Sequence, residues 1–192
     1  NITGKFVFTN MIAANNMTTN ISWYAINDSG GSTFLGSNNT INATNFTFDT
    51  TTLRDGNYTF ILNATNHSGF EFTAGTQNNT YVFSNVTIYS GNVHVDNSPP
   101  VIVLSLSDTD EVFTRGEQEV SCIFSDPTTG LKSFTVELTD PEGTKIIKQD
   151  VNVYTFMNDD TARTGGYTAR CTASDFAGNS NTVEKSFNVR VR

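Results

Sequence analysis

Residues 93–102, Val-His-Val-Asp-Asn-Ser-Pro-Pro-Val-Ile, constrain the fold of this chain more than any other stretch. The segment leaves one apolar alternation, crosses a short polar step and enters a second. Pro99 and Pro100 lock φ and lack N–H donors, and the proline after Ser98 pushes that residue towards extended backbone. Asp96 and Asn97 favour local turn hydrogen bonds. A strand therefore ends, a stiff extended step follows and another strand begins, which is the pattern of a domain boundary. The 192 residues divide into 1–97 and 98–192, each the size of a small β-sandwich.

Within each half the main signal is a two-residue hydrophobic period. Phe6 and Phe8 alternate with Lys5, Val7 and Thr9; Ile21, Trp23 and Ala25 share a face; Phe46 and Phe48 make another short strand. The strongest strand of the first half carries Tyr58, Phe60, Leu62 and Ala64 on one side, and Val82, Val86 and Ile88 close the half. Turns are expected at Asn27-Asp-Ser-Gly-Gly-Ser, at Arg54-Asp-Gly-Asn and around His67. The second half repeats the plan: Val101–Leu106, then Val120, Cys122 and Phe124, then Phe134, Val136 and Leu138. A single strand is expected over 146–154, followed by Tyr167, Ala169, Cys171 and Ala173, and finally Phe187, Val189 and Val191. An offset of 109 residues relates the halves, matching Tyr58 to Tyr167, Leu62 to Cys171, Ala64 to Ala173, Asn66 to Asp175 and Gly69 to Gly178. No helical period competes, so the fold class is all-β, two tandem β-sandwiches.

The halves differ in surface chemistry. Residues 1–97 hold 18 Asn and 24 Ser plus Thr, with only Lys5 and Arg54 as cations. Twelve Asn occupy N-x-S/T acceptors: Asn1, Asn16, Asn20, Asn27, Asn38, Asn42, Asn45, Asn57, Asn63, Asn66, Asn78 and Asn85. Random placement of Ser and Thr would give roughly four or five such matches. The second half has five Asn and no acceptor. The excess and its confinement read as a densely N-glycosylated first half, against the plainer reading of an Asn-rich composition. Period-two placement puts Asn20, Asn45, Asn63 and Asn85 on the face away from the expected core, where a glycan must point. Partial occupancy is expected at Asn42 with Asn45 and at Asn63 with Asn66.

A net charge of −8 and a pI near 4.5 argue against nucleic acid, whose phosphates need basic surfaces. No apolar run approaches the roughly 20 residues of a membrane span, and no signal peptide is seen. The missing initiator Met suggests a mature or excised segment whose anchor lies outside it. His67 and His94 are the only histidines, neither with a nucleophile nearby in sequence, and no metal or phosphate motif is found, so the chain reads as non-enzymatic. Cys122 and Cys171 lie on inward faces, 49 residues apart. They fit either a bridge across the sandwich or two buried thiols, and an exported context favours the bridge.

The phrases LRDGNYTFILNATN, YTARCTASDFAGN and VHVDNSPPVI resemble tandem immunoglobulin-like or fibronectin-III-like repeats of prokaryotic, especially archaeal, surface proteins. The likeness covers nearly the whole chain and specifies architecture better than function. Tyr167 lies four residues before Cys171, where the antibody pattern has two, and Phe134 or Val136 stands in for the core Trp. The resemblance implies an extracellular, cell-surface structural protein, a subunit of a surface layer (S-layer) or filament. An adhesin or carbohydrate-binding ectodomain is the alternative, with Tyr81, Phe83 and Tyr89 as candidate sugar platforms. The linker's Asp96-Asn97-x-Pro also looks like the calcium-binding junction of cadherins, and Asp108, Asp110 and Glu111 follow it. Ca²⁺ needs six to eight oxygens; the competing reading is turn caps and solvated acids, and no metal ligand is assigned. Aligning Phe6–Phe8 with Val120–Phe124, and Trp23 with Phe134, leaves the first half without an opening strand. That predicts an open edge where a strand from a neighbouring copy adds, giving a homopolymer, against the plainer reading of a chain cut from a longer repeat or of a short edge that suffices.

Overall fold

The computed structural model describes residues 5–9, 19–38, 45–72, 81–108 and 112–191, with side chains at 21–37, 47–63, 91–108 and 112–191. The chain divides into two compact units, Asn1–Asn97 and Ser98–Arg192. The described residues are strands joined by turns and two short 3₁₀ segments. Among the described residues no helix is long and apolar enough to cross a membrane.

The first unit contains β1 (Lys5–Thr9), β2 (Thr19–Asn27), β3 (Ser32–Asn38), β4 (Asn45–Asp49), a 3₁₀ turn (Thr50–Thr52), β5 (Gly56–Phe72) and β6 (Tyr81–Val95). β1 pairs with β4, and the other four form an antiparallel sheet in the order β3-β2-β5-β6. The two-residue period turns Ile21, Trp23 and Ala25 of β2 and Tyr58, Phe60 and Leu62 of β5 into one buried core with Leu53 and Val95. Asn97 ties down the end of the unit: its Nδ2 donates to the carbonyls of Thr50 and Leu53 at 2.9 and 3.1 Å, and its backbone N–H donates to Asp55 at 2.6 Å.

The second unit contains β7 (Val101–Leu106), β8 (Val112–Phe113), β9 (Gln118–Ser125), β10 (Leu131–Thr139), β11 (Lys145–Gln149), β12 (Val153–Phe156), a 3₁₀ turn (Asn158–Thr161), β13 (Gly165–Asp175) and β14 (Ser180–Arg190). One sheet runs β12-β9-β7 and the other β11-β10-β13-β14-β8. The last pair is parallel. Both sheets contribute to one core, including Leu104, Val120, Val136, Leu138, Phe156, Tyr167 and Phe187. Cys122 of β9 and Cys171 of β13, both fully buried, are disulfide-bonded and so join the two sheets.

The 109-residue repeat has a structural counterpart. The Tyr58 hydroxyl donates to the Arg54 carbonyl at 3.0 Å, and the Tyr167 hydroxyl donates to the Arg163 carbonyl at 3.1 Å. Trp23 pairs with Leu62 as Val136 pairs with Cys171, so Trp23 corresponds to Val136 and the alignment with Phe134 is corrected by two residues. The repeat is unequal at its edges. β9 pairs with both β7 and β12, whereas β1, among the described residues, pairs with β4 alone. β7 and β8 have no described counterpart in the first unit.

Two further expectations are corrected. Residues 146–154 are not one strand: Asp150 takes a left-handed φ of 56°, and the chain leaves β10's sheet as β11 and enters β9's as β12. Asn66 to Gly69 are not a turn around His67 but lie inside β5, whose ladder shifts register and resumes at Phe70↔Phe83. The matching segment of the second unit does turn, because the Asp175 carboxylate accepts the N–H groups of Gly178 and Asn179 at 2.6 and 2.9 Å. In the first unit the alternation of Phe70 and Phe72 about Glu71 carries the ladder on.

Candidate functional site

The acceptor asparagines are the first candidates. Asn1, Asn16, Asn42 and Asn78 lie outside the described residues. Asn20, Asn38, Asn45, Asn66 and Asn85 lie in strands described there in backbone only. In the β2–β3 turn, Asn27 Oδ1 accepts from the Gly31 N–H at 2.7 Å and the Ser29 hydroxyl at 2.8 Å. Asn57 donates from Nδ2 to Asp28 at 2.9 Å, and its Oδ1 meets His94 Nδ1 at 2.7 Å. Asn63 differs from both, with its Oδ1 buried and without a hydrogen-bond partner.

Strand register gathers three acceptor motifs in a way their sequence spacing conceals. Asn20 and Asn85 sit on either side of Thr65, and Ser22 and Thr87 on either side of Asn63. The motifs of Asn20, Asn63 and Asn85 therefore interleave across β2, β5 and β6. At about 4.8 Å between strands, Asn20 and Asn85 are roughly 10 Å apart. Crowding across the sheet therefore adds to that expected along the chain.

Beside these acceptors runs an apolar row, Phe34↔Tyr24↔Ile61, on the face opposite the core. Phe34 is 58% exposed, with its ring edge-on to Tyr24 at a centroid distance of 5.5 Å. Ile61 is only 7% exposed although it faces outwards. Tyr24, Ile26, Ser32, Ile61 and Asn63 line a shallow depression. The sequence-predicted aromatics Tyr81, Phe83 and Tyr89 lie in β6, described in backbone only. Tyr24 and Phe34 were missed because alternation marks them merely as the outer side; the signal was their being aromatic there.

The second unit has two contrasting outer faces. On the larger sheet Lys145, Glu137, Arg170 and Glu184 form a chain of ion pairs, at 3.1 Å for Lys145–Glu137 and 2.5 Å for Arg170–Glu184. Hydroxyl pairs Ser133–Ser174 and Thr172–Thr182 continue that polar surface. On the smaller sheet Val101, Val103, Ile123 and Val153 are 56, 52, 63 and 49% exposed. Val103 and Ile123 are directly paired across β7 and β9.

Carboxylates meet at one end of this unit. Oxygens of Asp126 and Asp175 lie within 4.8 Å of each other. Burial pushes the Asp126 carboxyl up, but the N–H groups of Thr129, Thr128 and Gly130 and a hydrogen bond with Asp175 outweigh it and hold the group below the usual range. Both are turn caps, so their convergence has a structural origin. Of the residues suggested for calcium, Asp96 is buried, Asp108 is exposed, and Asp110 and Glu111 lie outside the described residues. The Asn97 amide is committed to Thr50 and Leu53. No protein-family model matches the chain, and no curated protein matches it either.

Proposed function

We propose that the chain is a non-enzymatic, extracellular structural protein, a repeat or subunit of a cell-surface layer or filament built from two immunoglobulin-like sandwiches. The first unit carries N-linked glycans, and the second packs against neighbouring copies. The observation that carries this reading is the apolar outer face of β12-β9-β7. Four aliphatic side chains about half exposed on one sheet, in a unit with no glycan acceptor, mark a surface made for contact. The outer face of the same unit's larger sheet is crossed instead by ion pairs and hydroxyl pairs, its exposed apolar side chains Ile147 and Phe113 standing apart on the two edge strands β11 and β8. The disulfide suits an oxidising, exported setting. Among the described residues β1 is paired on one side alone, where the second unit has β7, and strand addition there would extend an assembly that the apolar face nucleates.

Electron microscopy and sedimentation of the glycosylated chain test it. The wild type is expected to assemble, and Ile123→Lys to stay monomeric with an unchanged melting temperature. Assemblies that persist in Ile123→Lys, or a wild type that never assembles, would refute the proposal. The aromatic depression favours a second reading, a carbohydrate-binding or adhesive ectodomain. Capture of free oligosaccharide by the chain lacking its own glycans would support it.

A further inference from the structure

We infer that the glycan carried on Asn63 folds back over Tyr24 and Ile61, so that a covalently tethered sugar fills the depression on the outer face of the first unit. The inference rests on the glycosylated-surface reading and adds where one glycan goes and what it does. Three observations converge on it.

First, the depression has the chemistry of a carbohydrate site. Tyr24, Ile26 and Ile61 give it an apolar floor and Ser32 a hydroxyl rim. The electron-rich face of a tyrosine attracts the C–H face of a pyranose, while hydroxyls at the margin orient the ring. Phe34, mostly exposed and edge-on to Tyr24, extends that floor.

Second, Asn63 is itself part of the wall. Its Oδ1 is buried and has no hydrogen-bond partner. A buried acceptor without a donor is costly, and saccharide hydroxyl and amide groups are donors. The glycan bonds to Nδ2 of the same amide, so the first sugar necessarily starts at the lip of the depression.

Third, other occupants fit less well. A sugar on Asn63 stands between the aromatic row and any flat protein partner. Asn20 and Asn85, flanking Thr65 in the neighbouring strands, would add two more glycans beside it. A tethered glycan also loses little freedom on docking, so even a weak contact stays filled.

The test is a double-mutant cycle on the glycosylated full chain, read by glycopeptide mapping, by melting temperature and by the ring resonances of labelled tyrosine. Thr65→Ala removes the acceptor motif while leaving Asn63 in place, Thr65→Ser restores it, and Tyr24→Thr removes the floor but keeps a strand-forming residue. Thr65→Ala is expected to lower the melting temperature by about 5 °C in the Tyr24 background, to shift the Tyr24 ring signals, and to do nothing further once Tyr24→Thr is present. Thr65→Ser should behave as wild type. Additive effects, or unmoved Tyr24 signals in Thr65→Ala, would overturn the inference and leave the glycoprotein reading standing. An empty Asn63 beside occupied acceptors elsewhere does the same. A chain with no occupied acceptor removes both. If Tyr24→Thr fails to fold, the Tyr24 shifts of Thr65→Ala against Thr65→Ser decide alone.

Discussion

Reducing the Cys122–Cys171 bond should act on one unit and spare the other. The bridge closes a loop between residues 49 apart, both with fully buried side chains. In the chain-entropy account, releasing a loop of that length costs about 4 kcal/mol of stability. At a urea dependence of about 1.5 kcal/mol per molar, the unfolding midpoint of the second unit falls by about 2–3 M. The first unit has no cysteine and places Leu62 where the second has Cys171. It also holds the only tryptophan, Trp23, 3% exposed in its core. Urea titration with and without reductant therefore separates the units: tryptophan fluorescence reports the first, and circular dichroism reports both. The expected result is a large reductant-dependent shift in the dichroism transition and none in the fluorescence transition. Equal shifts in both signals, or none in either, would refute the reasoning.

Tyr167→Phe removes the bond to the Arg163 carbonyl and should cost about 1 kcal/mol, with Tyr58→Phe costing the first unit a similar amount through Arg54; urea midpoints check both. Stability of the second unit should hold above about pH 4–5 and fall below it. Like Asp126, Asp140 after β10 is held below the usual carboxylate value, burial being outweighed by the Thr144 and Glu142 N–H groups and the Arg163 guanidinium, so the stability both add is present above the unfolded value and disappears as pH drops through the folded one. Asp126→Asn should flatten that acid limb, as urea midpoints at pH 6 and pH 3 would reveal.

The core was legible because alternation is a local property. Trp23, Phe60, Cys122 and Cys171 each follow the two-residue period, and each is buried. What depends on a single backbone conformation was not legible. Asp150 breaks an apparently continuous apolar stretch with one left-handed residue, and nothing in 146–154 other than its being an Asp signals it. The two-residue β8 is shorter than any period can register. Register across strands was equally hidden, since Phe34, Tyr24 and Ile61 are far apart in the chain and become one row only through pairing. The same holds for Asp126 and Asp175, 49 residues apart in the chain and brought together only by the fold. Equal spacing also misled at Gly69, where a matched glycine continues a strand instead of ending it.

The parallel contact of β8 with β14 has a mechanical meaning. Val112 and Phe113 face Val189 and Arg190, and the Thr114 N–H donates to the Arg190 carbonyl at 2.8 Å. Tension drawing the start of β8 and the end of β14 apart slides these strands along each other, so their bonds must break together. An antiparallel hairpin pulled from its open end gives way one bond at a time. Once that contact ruptures, the bridge between residues 49 apart keeps the enclosed loop out of the stretched chain. The oxidised second unit then pays out only roughly 160 Å, against roughly 330 Å when reduced, at about 3.5 Å per residue. The oxidised unit, held at both ends, would yield by a short, fixed step and then stop.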